Sequence, residues 1–156
     1  MKYNEIGIHL TIYFKTLAEL KRLGVATNKK DFTCQLGEWL VSELVGGQRA
    51  ASGIQKGWDV KAGDKYIQVK THSKAPTTGA RWTEIKHYHD LAIDELITVV
   101  FTSDYKLREL YRTPWDEALK LIVEQKHKNV IYWDHQSRYK IDIDKISNRA
   151  LIDLFR

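Results

Sequence analysis

One cysteine in 156 residues excludes an internal disulfide framework, and Cys34 has no Cys or His partner at the spacing of a zinc site. Cys34 reads instead as a small packed residue near a helix start. Prolines number two, and there is no low-complexity tract and no internal repeat, so nothing reads as a linker and the chain is expected to be a single domain, residues 1–156. No stretch approaches the roughly 20 apolar residues of a membrane helix. The opening MKYNEIGIHLTIYFK carries Asn4 and Glu5 where a secretory signal would be basic and then apolar. These absences predict a cytoplasmic protein with no membrane partner. Disorder is excluded as well, because 43% of the residues are hydrophobic and that is enough to bury a core.

Charge is present and unevenly placed. The net charge is +5, and between Lys56 and Lys86 seven Lys and Arg stand against three Asp and Glu, a balance of +4. Most of the excess therefore lies in one stretch, which points to an acidic partner such as nucleic acid.

Hydrophobic periodicity outlines the elements. Ile6, Leu10, Tyr13, Leu17 and Leu20 recur at steps of four and three, which predicts a helix over about 4–23 with one buried stripe, stopped at Gly24. A second helix, capped by Asp31 or Thr33, carries Leu36, Leu40, Val41 and Leu44 inward and ends at Gly46-Gly47. The period then becomes two. Residues 58–62 and 65–70 flank Gly63-Asp64 as a hairpin, with Tyr66, Gln68 and Lys70 on one face of its second strand and Ile67 and Val69 on the other. Residues 73–80 read as a loop, 96–101 as a buried central strand and 106–112 as its successor. A helix over 115–125 led by Pro114, a strand pair at 130–133 and 139–143, and a closing helix over 147–155 complete the expected elements.

Hydrolysis of a phosphodiester needs an activated water and positive charge where negative charge develops, which oxygen ligands holding a divalent cation and a lysine can provide. Asp59 on one strand of the hairpin and Gln68 and Lys70 two residues apart on the next can project toward one spot. Asp59 would be the principal ligand, the Gln68 amide oxygen a neutral one and the Val69 main-chain carbonyl a third. Lys70 would polarise the attacking water or hold the phosphate.

The runs Gly57-Trp58-Asp59 and Ile67-Gln68-Val69-Lys70 resemble the D…(E/Q)xK signature of the PD-(D/E)xK nuclease superfamily, and Gly37-Glu38-Trp39-Leu40 resembles the helical glutamate of some of its members. The likeness is to a group of short, uncharacterised bacterial proteins in that superfamily and spans about residues 14–72. It implies an α/β fold with a restriction endonuclease-like αβββαβ core, a mixed central sheet flanked by helices, Mg²⁺ or Mn²⁺ as cofactor and DNA as substrate. Residue by residue, Asp59, Gln68, Lys70 and Glu38 take the catalytic positions, with Asp59, Gln68, Val69 and Glu38 toward the metal. On a helical wheel Glu43 lies nearer the buried stripe than Glu38, and either could reach the site; the resemblance selects Glu38. Gln68 is the departure, since it removes a negative charge that the superfamily more often has.

Around the motif, Lys56, Trp58, His72, Lys74 and Arg81, with Trp82, form a candidate DNA-contacting rim. Both tryptophans have core packing as the alternative. His87 and His89 lack a third ligand and read as a surface loop. The expected function is a metal-dependent endonuclease of restriction, defence or repair, working as a homodimer or inside a larger system. The alternatives are a non-catalytic nucleic-acid-binding module that keeps the nuclease fold, and a structural partner protein with no nucleic-acid role.

Overall fold

A computed structural model describes residues 2–27, 31–51, 57–74 and 79–156, and it shows a mixed α/β chain. Helix α1 (Lys2–Arg22) is followed by α2 (Phe32–Val45), whose limits follow from local chemistry. The Asp31 carboxylate accepts the Cys34 N–H at 3.2 Å as N-cap, and Gly46 ends the helix in the left-handed region at φ 62°.

Five strands form the main sheet in the order β1 (Gln48–Arg49), β2 (Val60–Ala62), β3 (Lys65–Ser73), β5 (Glu95–Phe101), β6 (Leu107–Pro114). β2 and β3 are the expected hairpin, with Val60 opposite Ile67 and Ala62 opposite Lys65 across Gly63 at φ 58°. β3 then runs parallel to β5, and β5 runs antiparallel to β6. A second sheet of three strands, β4 (Trp82–Glu84), β8 (Asn129–Tyr132) and β7 (Val123–Glu124), lies apart from it in the hydrogen-bonding pattern. Every residue of β5 is buried, which is why its sequence shows no alternation.

Registered neighbours share a face, so β3 separates two environments. Ile67 and Val69 join Ile97, Val99, Phe101 and Leu110 under α2 and the short α4 (Arg149–Asp153). Tyr66, Gln68, Lys70 and His72 look the other way, alongside Leu96, Thr98 and Val100. α2 approaches β3 so closely that a Cβ at Gly37 would stand 1.8 Å from Thr71 Oγ1 and 2.7 Å from Thr71 Cβ. Rotating Thr71 relieves the first contact and not the second. Gly37→Ala is therefore expected to destabilise the protein by about 1–3 kcal/mol, read as a lower urea midpoint with an unchanged slope.

Five expectations are corrected. The α1 stripe is not buried: Ile6 and Tyr13 are exposed, Leu17 is half-buried, and Leu20 is the part that packs on the core. The helix from Trp115 stops at Lys120 (α3), because Val123 and Glu124 leave it to pair with β8. Residues 139–143 form no strand. Trp133 and Gln136 are both fully buried, and a spacing of three suits the 3₁₀ helix Trp133–Tyr139 that replaces it, with Lys140 making one isolated bridge to Tyr111. Of the loop over 73–80, Ser73 belongs to β3 and 75–78 lie outside the described residues. Where the αβββαβ order expects a helix between the parallel strands, the described residues of the crossover hold β4 and a 3₁₀ turn, Tyr88–Asp90.

Candidate functional site

Asp59 is tied at three points. Its N–H donates to Ile67 O at 2.8 Å, its carbonyl accepts the Ala50 N–H at 2.8 Å, and its Oδ2 accepts the Val69 N–H at 2.8 Å. Val60 is opposite Ile67, and the Asp59 N–H donates to the same Ile67 carbonyl, so the ladder ends there and the Asp59 carboxylate turns to the Val69 N–H, next to Gln68 along β3. Alternate carbonyls of β3 point to opposite edges: that of Ile67 meets Asp59, and that of Tyr66 accepts the Asp94 N–H. The Val69 carbonyl leaves the strand on the Asp59 edge with its own N–H.

Gln68 and Lys70 lie in a cleft of about 740 Å³. The hairpin side also supplies Trp58 and Tyr66, whose rings are 5.3 Å apart and tilted at 56°. Lys86, His87 and Leu91 of the crossover form the facing wall. His87 holds a left-handed conformation, φ 51°, which histidine adopts more readily than most residues. The Gln68 amide oxygen is buried and has no hydrogen-bond partner among the described residues. Thr98, beside Lys70 in register, likewise buries its hydroxyl without a partner among the described residues.

An unmet buried acceptor beside a carboxylate and a main-chain carbonyl is an all-oxygen donor set, which suits a hard divalent cation. No three His, Cys, Asp or Glu side chains gather into a metal-binding group among the described residues. Glu38 rides on α2, which covers the opposite face of the sheet, and its charge acts on Arg49 together with that of Glu43. Arg49 itself is held by the carbonyls of Val25, Gln35 and Gly24.

The expected rim is divided. Trp58 lines the cleft and Lys56 lies outside the described residues. His72, Lys74 and Arg81 belong to a neighbouring aromatic and ionic cluster. Arg81 makes a bidentate pair with Glu109 at 2.9 and 3.0 Å and a further bond to Asp134 at 2.9 Å, and these raise its pKa. Burial, the largest single influence, pushes Glu109 upward, but Arg81, Tyr111 and Lys140 together outweigh it and the net shift is downward. Lys74 Nζ sits 5.1 Å from the centre of the Trp82 ring and Lys128 Nζ 3.7 Å from it. Burial first, and Lys128 second, lower the Lys74 pKa. Glu109, Thr83 and Trp133 were not legible as members of this cluster, since they come from strands and turns distant in sequence. Tyr66 had a signal, its shared face with Gln68.

His72 shares a 2.7 Å hydrogen bond with the Thr83 hydroxyl, which also accepts from the Trp133 indole at 3.0 Å. Burial, reinforced by Lys74 and Lys70, lowers its pKa from 6.5 to about 4. The folded imidazole is therefore neutral where the unfolded one takes a proton, so stability falls as pH drops from about 6.5 to about 4 and this penalty vanishes above that window. The shift corresponds to about 3 kcal/mol. His72→Phe is expected to flatten the difference in denaturation free energy between pH 7 and pH 4 relative to wild type; parallel profiles would count against a buried neutral His72.

No protein-family model matches the chain, and no curated protein matches it significantly. None of the helices among the described residues is long and apolar enough to cross a membrane.

Proposed function

We propose that the chain is a divalent-metal-dependent nuclease of the PD-(D/E)xK kind that hydrolyses DNA. The observation that carries this reading is the hairpin, which bonds the Asp59 carboxylate to the Val69 N–H, next in β3 to a Gln68 whose buried amide oxygen lacks a partner among the described residues and which shares its strand face with Lys70. A restriction endonuclease-like core is supported by the order α2, β1, β2, β3, followed by β5 parallel to β3.

Asp59, Gln68 and the Val69 carbonyl would hold Mg²⁺ or Mn²⁺. The cation, when bound, supplies charge at the phosphate and lowers the pKa of a bound water. Asp59 is oriented by the Val69 N–H. Lys70 donates hydrogen bonds to the attacking water or to the phosphate oxygens, a fixed positive charge where negative charge grows.

A second reading, a nucleic-acid-binding module without catalysis, draws on the absence of any three-residue His, Cys, Asp and Glu cluster among the described residues. One experiment separates the two. Purified protein is expected to cleave plasmid DNA with Mg²⁺ or Mn²⁺ and to stop with EDTA, while its DNA affinity falls steeply between about 50 and 200 mM salt as phosphate contacts are lost. Salt-sensitive binding with no cleavage under either metal assigns the second reading. Affinity unmoved by salt removes DNA as the partner.

A further inference from the structure

The cleft beside Lys70 has more wall than a phosphate requires. Trp58 and Tyr66 pack only partly against the core beneath them, and Leu91 faces them across a volume of about 740 Å³. Lys86 and His87 add a polar edge, and Gly57 at φ 102° brings the chain to the mouth without a side chain. A paired, stacked base offers only its edges to a groove, whereas an unpaired one offers a ring face that can stack on aromatic side chains. We propose that this cleft takes one unpaired nucleotide adjoining the scissile phosphate, its base stacked against Trp58 and Tyr66. The inference rests on the nuclease reading and makes single-stranded, bulged or frayed DNA the preferred substrate.

Two labelled duplexes, one fully paired and one carrying a single unpaired 2-aminopurine, test it by anisotropy in EDTA, where nothing is cleaved. Wild type is expected to prefer the bulged duplex by roughly 5- to 150-fold, the range of one base stacking on an aromatic ring. Trp58→Ala should erase the preference, and Trp58→Phe should retain most of it. Equal wild-type affinity for the two duplexes overturns the proposal and leaves the nuclease reading standing. Failure to bind either duplex removes both.

A separate observation concerns α1. Its 21 residues span about 31 Å, yet Tyr3 is 85% exposed, Ile6 42%, Tyr13 56% and Phe14 60%. Gly7 and the β-branched Ile6, Ile8, Thr11, Ile12 and Thr16 make it a poor helix in water on its own. Tyr3, Ile6, Leu10, Tyr13, Leu17 and Leu20 occupy successive a and d positions of a heptad, the self-complementary pattern of paired helices. Tyr3 and Tyr13 on that stripe and Phe14 at its edge, at roughly 150–250 Å² each, with Ile6 between them, approach the ~800 Å² per partner of a stable interface. We infer that α1 pairs with α1 of a second copy of this chain.

Wild type is expected to sediment as a dimer at micromolar concentration. Ile6→Asp with Tyr13→Asp should yield a monomer whose strand signal in circular dichroism and melting transition persist, while Lys15→Glu, off the stripe, should remain dimeric. A monomeric wild type, or a dimer indifferent to the stripe charges, overturns the inference.

Discussion

Asp59→Asn and Lys70→Ala are each expected to lower metal-dependent DNA cleavage by at least about two orders of magnitude, the range for removal of a positioned acid, base or charged group. The choice of asparagine matters. Asp59 Oδ2 accepts the Val69 N–H at 2.8 Å, so Asp59→Ala would also strand a partly buried donor and cost about 1–3 kcal/mol of stability. Asparagine keeps an acceptor for that bond and removes the charge. Its melting temperature should thus stay near that of wild type while cleavage collapses. Lys70 is half-buried at the cleft, so its truncation should also spare the fold. Undiminished cleavage by Asp59→Asn would sink the catalytic assignment.

Gln68 gives a test in which stability and metal binding move in opposite directions. In the metal-free protein its buried amide oxygen lacks a partner among the described residues, so Gln68→Leu should be neutral or stabilising by about 1 kcal/mol. The same change deletes a ligand oxygen, so Mn²⁺ should raise the melting temperature of wild type and have little effect on Gln68→Leu. Gln68→Glu should do the reverse. An unpaired carboxylate in that position costs stability without metal, whereas with Mn²⁺ the added charge should tighten binding by about tenfold or more. Calorimetric titration of the three proteins decides the matter, and equal Mn²⁺ binding by all three would exclude Gln68 from the metal site.

These two experiments depend on parts of the molecule that are legible in different ways. The hairpin at Gly63-Asp64, the shared face of Tyr66, Gln68 and Lys70, and an α2 capped by Asp31 or Thr33 and ended at Gly46-Gly47 were expected from the sequence, and the structure has them, with Asp31 as the cap. Each is local: a period of two, a turn that needs positive φ, a side chain capping a donor three residues on. The continuous apolar run of β5 was readable for the same reason, since burial on both faces leaves no alternation. The failures lie where a local pattern permits two partners. The heptad of α1 states that an apolar stripe exists and not what covers it, and Val123 suits a helix end or a strand until β8 lies beside it. Tertiary structure alone decided that Arg81 faces Glu109, 28 residues away, and that His72 meets Thr83 beneath Trp133, 50 residues beyond it. It also brought residues 86–91 over Gln68 and Lys70 to make a cleft. Such pairings follow from packing two sheets and a crossover together, where the burial of a charge or an imidazole depends on groups that no sequence period connects.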